Sequence, residues 1–120
     1  MPLAHVTAVM VHVPDREQGL AWYEEAFPQA KRRRSDEDDF EFLQLGEIQI
    51  EVVAADEKVT FGPSGTVVYW QVTSIAEEVE RLLLIGGQLY RGPMRIEANL
   101  SMCQVQDPWG NCIGLRGPAP

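Results

Sequence analysis

Twice along this chain a run of β-branched residues ends just before a residue that caps a helix. In the first instance Val6, Val9, Val11 and Val13 lead to Pro14 and then Asp15, with Gln18 three residues later. In the second, the run Gly65 to Val72 leads to Thr73 and then Ser74, with Glu77 three residues later. A cap side chain accepts a hydrogen bond from an N–H of the first helical turn, and a Gln or Glu three residues on completes the capping box. Each strand therefore passes directly into a helix. Val13 and Val72 stand at equivalent points of two half-modules, about residues 5–55 and 64–117. The halves share little sequence, so the repeat rests on the order of elements.

The pattern predicts a strand over Val6 to Val13 and a helix from about Arg16 to Phe27, stopped by Pro28. Leu20, Tyr23 and Phe27 share one helical face. The basic run Lys31 to Arg34 reads as an edge strand and the acidic run Asp36 to Asp39 as a turn. Phe40 to Leu45 and Ile48 to Val53 form a hairpin about Gly46-Glu47, and Ala54 to Ser64 is a linker. In the second half the helix runs from Ser74 through Ile85, closed by Gly86-Gly87. Gln88 to Tyr90 reads as a short strand, and Gly92 and Pro93 as loop. Leu100 to Gln106 and Cys112 to Arg116 form a last hairpin around Asp107-Pro108-Trp109-Gly110, with Gly117 to Pro120 frayed.

At 120 residues the chain predicts one domain, 1–120. A chain of this length buries roughly two-thirds of its unfolded surface. Hydrophobic residues at 45% and charged residues at 23% exclude a disordered tail, a collagen-like chain and a coiled coil. The formal charge of −8 argues against nucleic acid or an anionic membrane as partner, and suits a cationic small molecule. No apolar run reaches the ~18 residues of a membrane span. Met1 to His5 lacks the charged and apolar regions of a signal peptide, and two cysteines are too few for a disulfide scaffold. The expectation is a reduced, cytoplasmic protein.

Three stretches carry a resemblance. They are VHVPDREQGLAWYEEAF, VVYWQVTSIAEEVERLLLIGG and VQDPWGNCIGL, the last with an Asp-Pro-x-Gly-Asn ending. In this order they resemble the vicinal oxygen chelate superfamily, which includes glyoxalase I, extradiol dioxygenases and the bleomycin-resistance proteins. The resemblance spans about residues 6 to 116. It implies an α+β fold in which two βαβββ modules form a curved mixed sheet, with helices outside and a concave cup inside. It also implies a homodimer.

In the metal enzymes of that superfamily each of four strands supplies a His, Gln or Glu ligand to the cup. The equivalent positions here are Ala8, Glu51, Val67 and Gly114, of which only Glu51 can bind a metal. His12 shares strand parity with Ala8 but lies roughly 13 Å further along at strand rise. His5 has the opposite parity. One carboxylate does not hold a Zn, Fe or Mn ion, which needs about three protein ligands. The expectation is no metal and no cofactor.

The candidate site residues are His12, Glu51, Tyr69, Gln71, Trp109 and Arg116. Glu51 lies in an otherwise apolar strand, where a carboxylate can donate or accept a proton. Otherwise it is a lining residue bonded to Gln49, Gln71 or water. His12 is a base, a ligand contact or a strand-end surface group. Tyr69 and Gln71 share parity with Val67, and an aromatic ring with a polar tip suits a flat ligand. Trp109 covers the cup or packs on a neighbour, and Arg116 can fork a carboxylate. Cys103 and Cys112 flank one hairpin, as a redox pair or as two reduced thiols.

Three functions follow. One is a metal-free binding protein for a small aromatic or cationic molecule in the cup. Another is a metal-independent isomerase or lyase with Glu51 as general acid/base. The last is an assembly or regulatory protein with no ligand.

Overall fold

Both helix starts form as their sequences dictate. In a computed structural model describing residues 5–37 and 39–120, the Asp15 carboxylate accepts from the Gln18 N–H at 3.1 Å and the Ser74 hydroxyl from the Glu77 N–H at 3.2 Å. The chain divides into two compact units, Met1–Phe61 and Gly62–Pro120. The boundary falls inside the polar stretch expected to link the halves.

The first unit contains β1 (Ala8–Val13), α1 (Arg16–Ala26), β2 (Lys31–Arg34), β3 (Glu41–Leu45) and β4 (Ile48–Ala54). Its sheet has the order β1-β4-β3-β2. β1 runs parallel to β4, and the other two pairings are antiparallel. Side chains alternate across a strand, so Val13, Ile50 and Val52 share one face with Leu43, and all four are buried. α1 lies on that face. A Cβ on Gly19 would come within 2.6 Å of a Val13 methyl and 2.9 Å of a Val52 methyl, so only glycine lets the helix approach this closely. Each fully buried Val, Leu or Ile contributes about 1.5–3 kcal/mol relative to exposure.

The second unit contains β5 (Val68–Gln71), α2 (Ile75–Leu84), β6 (Gln88–Arg95), β7 (Leu100–Gln106) and β8 (Cys112–Pro118). Its order, β5-β8-β7-β6, is the same permutation as in the first unit, again with one parallel pair and two antiparallel pairs. Cys103, Val105, Ile113 and Leu115 are its buried strand residues. α2 covers their face with Ile75 and Leu82, and Ile75 lies against Gly117. Together the units make an α+β architecture of two four-stranded mixed sheets, each with one helix.

Several boundaries differ from the sequence reading. α1 stops at Ala26, and Phe27 becomes its C-cap, donating its N–H to the Tyr23 carbonyl. β5 starts at Val68 rather than Gly65. The expected loop at Gly92 and Pro93 lies inside β6, which reaches Arg95 through register shifts at Leu89/Arg91 and Arg91/Met94. β6 is an edge strand, where a bulge and a proline interrupt the ladder least. The expected frayed tail continues β8 to Pro118, and the Ala119 N–H bonds the Asn99 carbonyl at 2.9 Å. β2 is the edge strand expected from the basic run, and Asp36 and Glu37 form a turn. Asp38 in the acidic run and Met1 to Ala4 lie outside the described residues. Among the described residues no helix is long and apolar enough to cross a membrane.

Candidate functional site

In each unit the helix packs on one face of its sheet, and the candidate residues fall mostly on the other. In the first unit that opposite face carries Ala8, Met10 and His12 of β1 with Gln49, Glu51 and Val53 of β4. The register sets Met10 beside Glu51 and His12 beside Val53. Glu51 is half-buried and, among the described residues, its carboxylate forms no hydrogen bond or ion pair. His12 is half-buried two register pairs further on, and it interacts electrostatically with Asp56. The N–H groups of Val59 and Lys58 hold the Asp56 carboxyl below the usual carboxylate range, helped by His12 and opposed by slight desolvation. His12 thus interacts with the polar segment that leaves β4.

In the second unit one row of partners crosses the whole sheet. Tyr69 of β5 pairs with Gly114 of β8, Gly114 with Gln104 of β7, and Gln104 with Arg91 of β6. Glycine at 114 leaves a gap that the Tyr69 ring fills. A Cβ there would lie 2.6–2.8 Å from three of the ring carbons. The Gln104 side-chain amide reaches across and donates to the Tyr69 hydroxyl at 2.7 Å. The Arg116 guanidinium lies over the ring, 4.8 Å from its centroid. Arg116 is exposed and Tyr69 half-buried, so the guanidinium forms the solvent side of this stack. Gln71, also exposed, pairs with Arg116.

Tyr69, Gln71 and Arg116 therefore form one cluster. Trp109 does not join them at the backbone level, because it sits in the β7–β8 turn, at the end of β8 remote from Arg116. That turn is built on buried Asp107. One carboxylate oxygen accepts from the Trp109 and Asn111 N–H groups at 2.8 and 2.9 Å, and the other from the Asn111 side-chain amide at 2.9 Å. The sequence reading missed Gln104 and Arg91. Strict alternation along β7 points to Gln104, which shares parity with Met102 and Gln106. Arg91 is hidden by the bulges of β6.

The two cysteines are not a redox pair. Cys103 pairs with Leu115 on the helix side and Cys112 with Gln106 on the opposite side, and both are free. Burial pushes the Cys103 thiol up. Burial and then the Asp107 charge push up that of Cys112, with Arg91 acting the other way.

The metal set of the resembling enzymes does not fit this chain. At the matching positions of the second unit, Val67 lies outside any strand and the space above Gly114 is taken by the Tyr69 ring. Among the described residues, no group of three or more His, Cys, Asp and Glu side chains is arranged to hold a metal ion.

Solved structures share this architecture. The glyoxalase/bleomycin resistance protein/dioxygenase family enzyme from Burkholderia phytofirmans PsJN superposes with a TM-score of 0.76 at 19% identity, over 95% of this chain and 98% of that one. A glyoxalase-related enzyme from Fulvimarina pelagi gives 0.73 at 21% identity, over 95% and 88%. A glyoxalase/bleomycin resistance protein from Albidiferax ferrireducens T118 gives 0.67 at 17%, over 92% and 96%. The chain thus has the glyoxalase/bleomycin resistance/dioxygenase fold. No protein-family model and no curated protein sequence matches it.

Proposed function

We propose that this chain is a metal-independent member of the glyoxalase/bleomycin resistance/dioxygenase superfamily that binds a small aromatic molecule on the helix-free face of its second sheet. The Gly114–Tyr69–Arg116 stack carries this reading. A tyrosine ring seated on bare backbone, fixed at its hydroxyl by Gln104 and capped by a guanidinium, is a preorganised surface. Planar groups stack on guanidinium and aromatic planes, and little side-chain freedom is lost when the platform is already ordered. Thermal-shift screening with aromatic compounds tests the reading. Saturable stabilisation that is lost in Tyr69→Leu supports it, because a bound ligand stabilises by mass action. No saturable stabilisation by any aromatic compound refutes it.

A second reading is favoured by one observation, the half-buried and unpartnered carboxylate of Glu51. There Glu51 moves a proton in an isomerase or lyase step. Deuterium from D2O entering the ligand identified by the screen, lost in Glu51→Gln with binding retained, supports it. Unchanged deuterium incorporation in Glu51→Gln refutes it.

A further inference from the structure

The charge on this face is opposite in sign to that of the chain. The protein has 18 acidic and 10 basic residues, yet the four strands VYWQ, QLYRGPMR, LSMCQVQ and CIGLRGP contain no Asp or Glu. Their helix-free face holds two guanidinium groups, those of Arg116 and Arg91. Most arginines elsewhere have polar or charged partners: Arg16 bonds the Glu41 carbonyl, Arg32 pairs with Glu24, Arg34 with Asp39, Arg81 with Glu78 and Arg95 with Asn99, while Arg33 on the edge strand β2 has none among the described residues. Among the described residues Arg91 and Arg116 form no ion pair, and both are exposed. They stand two strands apart in the sheet and one row apart along it, so their α-carbons are about 12 Å from each other at ordinary strand spacings. An arginine side chain spans about half that distance, so both can reach one small ligand. Arg91 already acts electrostatically on Cys112, on the same face.

We propose that this face takes the carboxylate of a small planar organic acid, with Arg116 as its fork and Arg91 as the second cation. This rests on the aromatic-binding reading above and gives it a substrate class. Carboxylate matches guanidinium in a planar, two-bond geometry. Tyr69 beneath Arg116 restrains the fork, and the Gln104 amide restrains Tyr69. The overall charge of −8 suggested a cationic ligand. A cation here would instead meet two like charges with no acid between them, which is unfavourable at short range.

Three probes with one ring system separate the possibilities: 2-naphthoate, 2-naphthamide and 2-naphthylmethylammonium, titrated calorimetrically into the full chain. The proposal expects the carboxylate to bind at least about tenfold more tightly than the amide, as charge-assisted bonds are about twice as strong as neutral ones. That advantage should shrink as salt is raised. Arg116→Gln and Arg91→Gln should each reduce it, and Arg116→Lys should retain part of it. Both residues are exposed, so these variants should fold. Equal binding of carboxylate and amide, or tightest binding of the ammonium, overturns the anion assignment while leaving aromatic binding intact. Failure of all three probes to bind the wild-type chain overturns the aromatic-binding reading and the proposal with it.

Discussion

Gly114→Ala tests whether the Tyr69 platform is built as described. The new methyl would stand 2.6, 2.7 and 2.8 Å from Cδ2, Cγ and Cε2 of Tyr69, closer than carbon atoms approach. Gly114 lies within β8, and its backbone is not left-handed, so alanine fits the main chain. Alanine there gains about 0.5–1 kcal/mol over glycine in an extended strand. The ring must therefore move. Leaving its place forfeits the cation–π contact with Arg116, about 0.5–1 kcal/mol at an exposed site. It also forfeits the Gln104 hydrogen bond, about 0.5–1.5 kcal/mol. A ring that stayed would incur an overpacking strain of about 1–3 kcal/mol. Either route exceeds the backbone gain, and the net loss is about 1 kcal/mol. For a chain of this size that lowers Tm by about 4 °C. The assay is a double-mutant cycle by urea denaturation, with Tyr69→Ala as the second change. Gly114→Ala should destabilise the wild-type background and be neutral or mildly stabilising in the Tyr69→Ala background. An equal loss in both backgrounds would refute the reasoning, because the methyl would then be clashing with something other than the ring.

Gly19→Ala should lower the denaturant midpoint, because Val13 and Val52 are fully buried and cannot yield to a methyl placed within 2.9 Å. Overpacking of about 1–3 kcal/mol outweighs the ~1 kcal/mol gain in helix propensity, and a raised midpoint would contradict this. Asp107→Ala should cost about 2–4 kcal/mol by removing three hydrogen bonds at a buried turn. Asp107→Asn, which keeps acceptor capacity, should cost less, and equal losses would argue against the turn as the cause. The Cys112 thiol, pushed up chiefly by burial, should react with iodoacetamide more slowly than a free thiol at pH 8 and faster as pH rises. Folding favours the protonated thiols of Cys103 and Cys112. Their contribution to stability is therefore full below the ordinary thiol pKa and lost as pH climbs through the raised one. Free-thiol reactivity of Cys112 at pH 8 would contradict the burial. We propose a homodimer on the sequence resemblance alone: light scattering should give twice the 13.5 kDa chain mass, and a single-chain mass would refute it.

Local chemistry made much of the fold legible. Asp15 and Ser74 cap their helices as their neighbours indicated, and the β-branched runs ahead of them became β1 and β5. The repeated element order reappears as one strand permutation in both sheets. β6 was misread because Gly92 and Pro93 are local turn signals, whereas their place in a ladder depends on the pairing of β6 with β7, which runs through two register shifts. The Tyr69 stack was half legible. Parity put Tyr69 and Gln71 on one face, but the place of Arg116 over the ring, the ring's seat on Gly114 and its bond to Gln104 depend on the register of three strands. Net charge and the folded register point to ligands of opposite sign. Net charge averages over the chain, while the folded register gathers Arg91 and Arg116 on strands without a single acid.

Difference electron density from crystals soaked in 2-naphthoate addresses the central claim most directly. The account predicts the carboxylate within hydrogen-bonding distance of the Arg116 guanidinium, with the rings lying on the helix-free side of β5, β8 and β7. Density on the helix side of that sheet, or a carboxylate directed away from both Arg116 and Arg91, would contradict it.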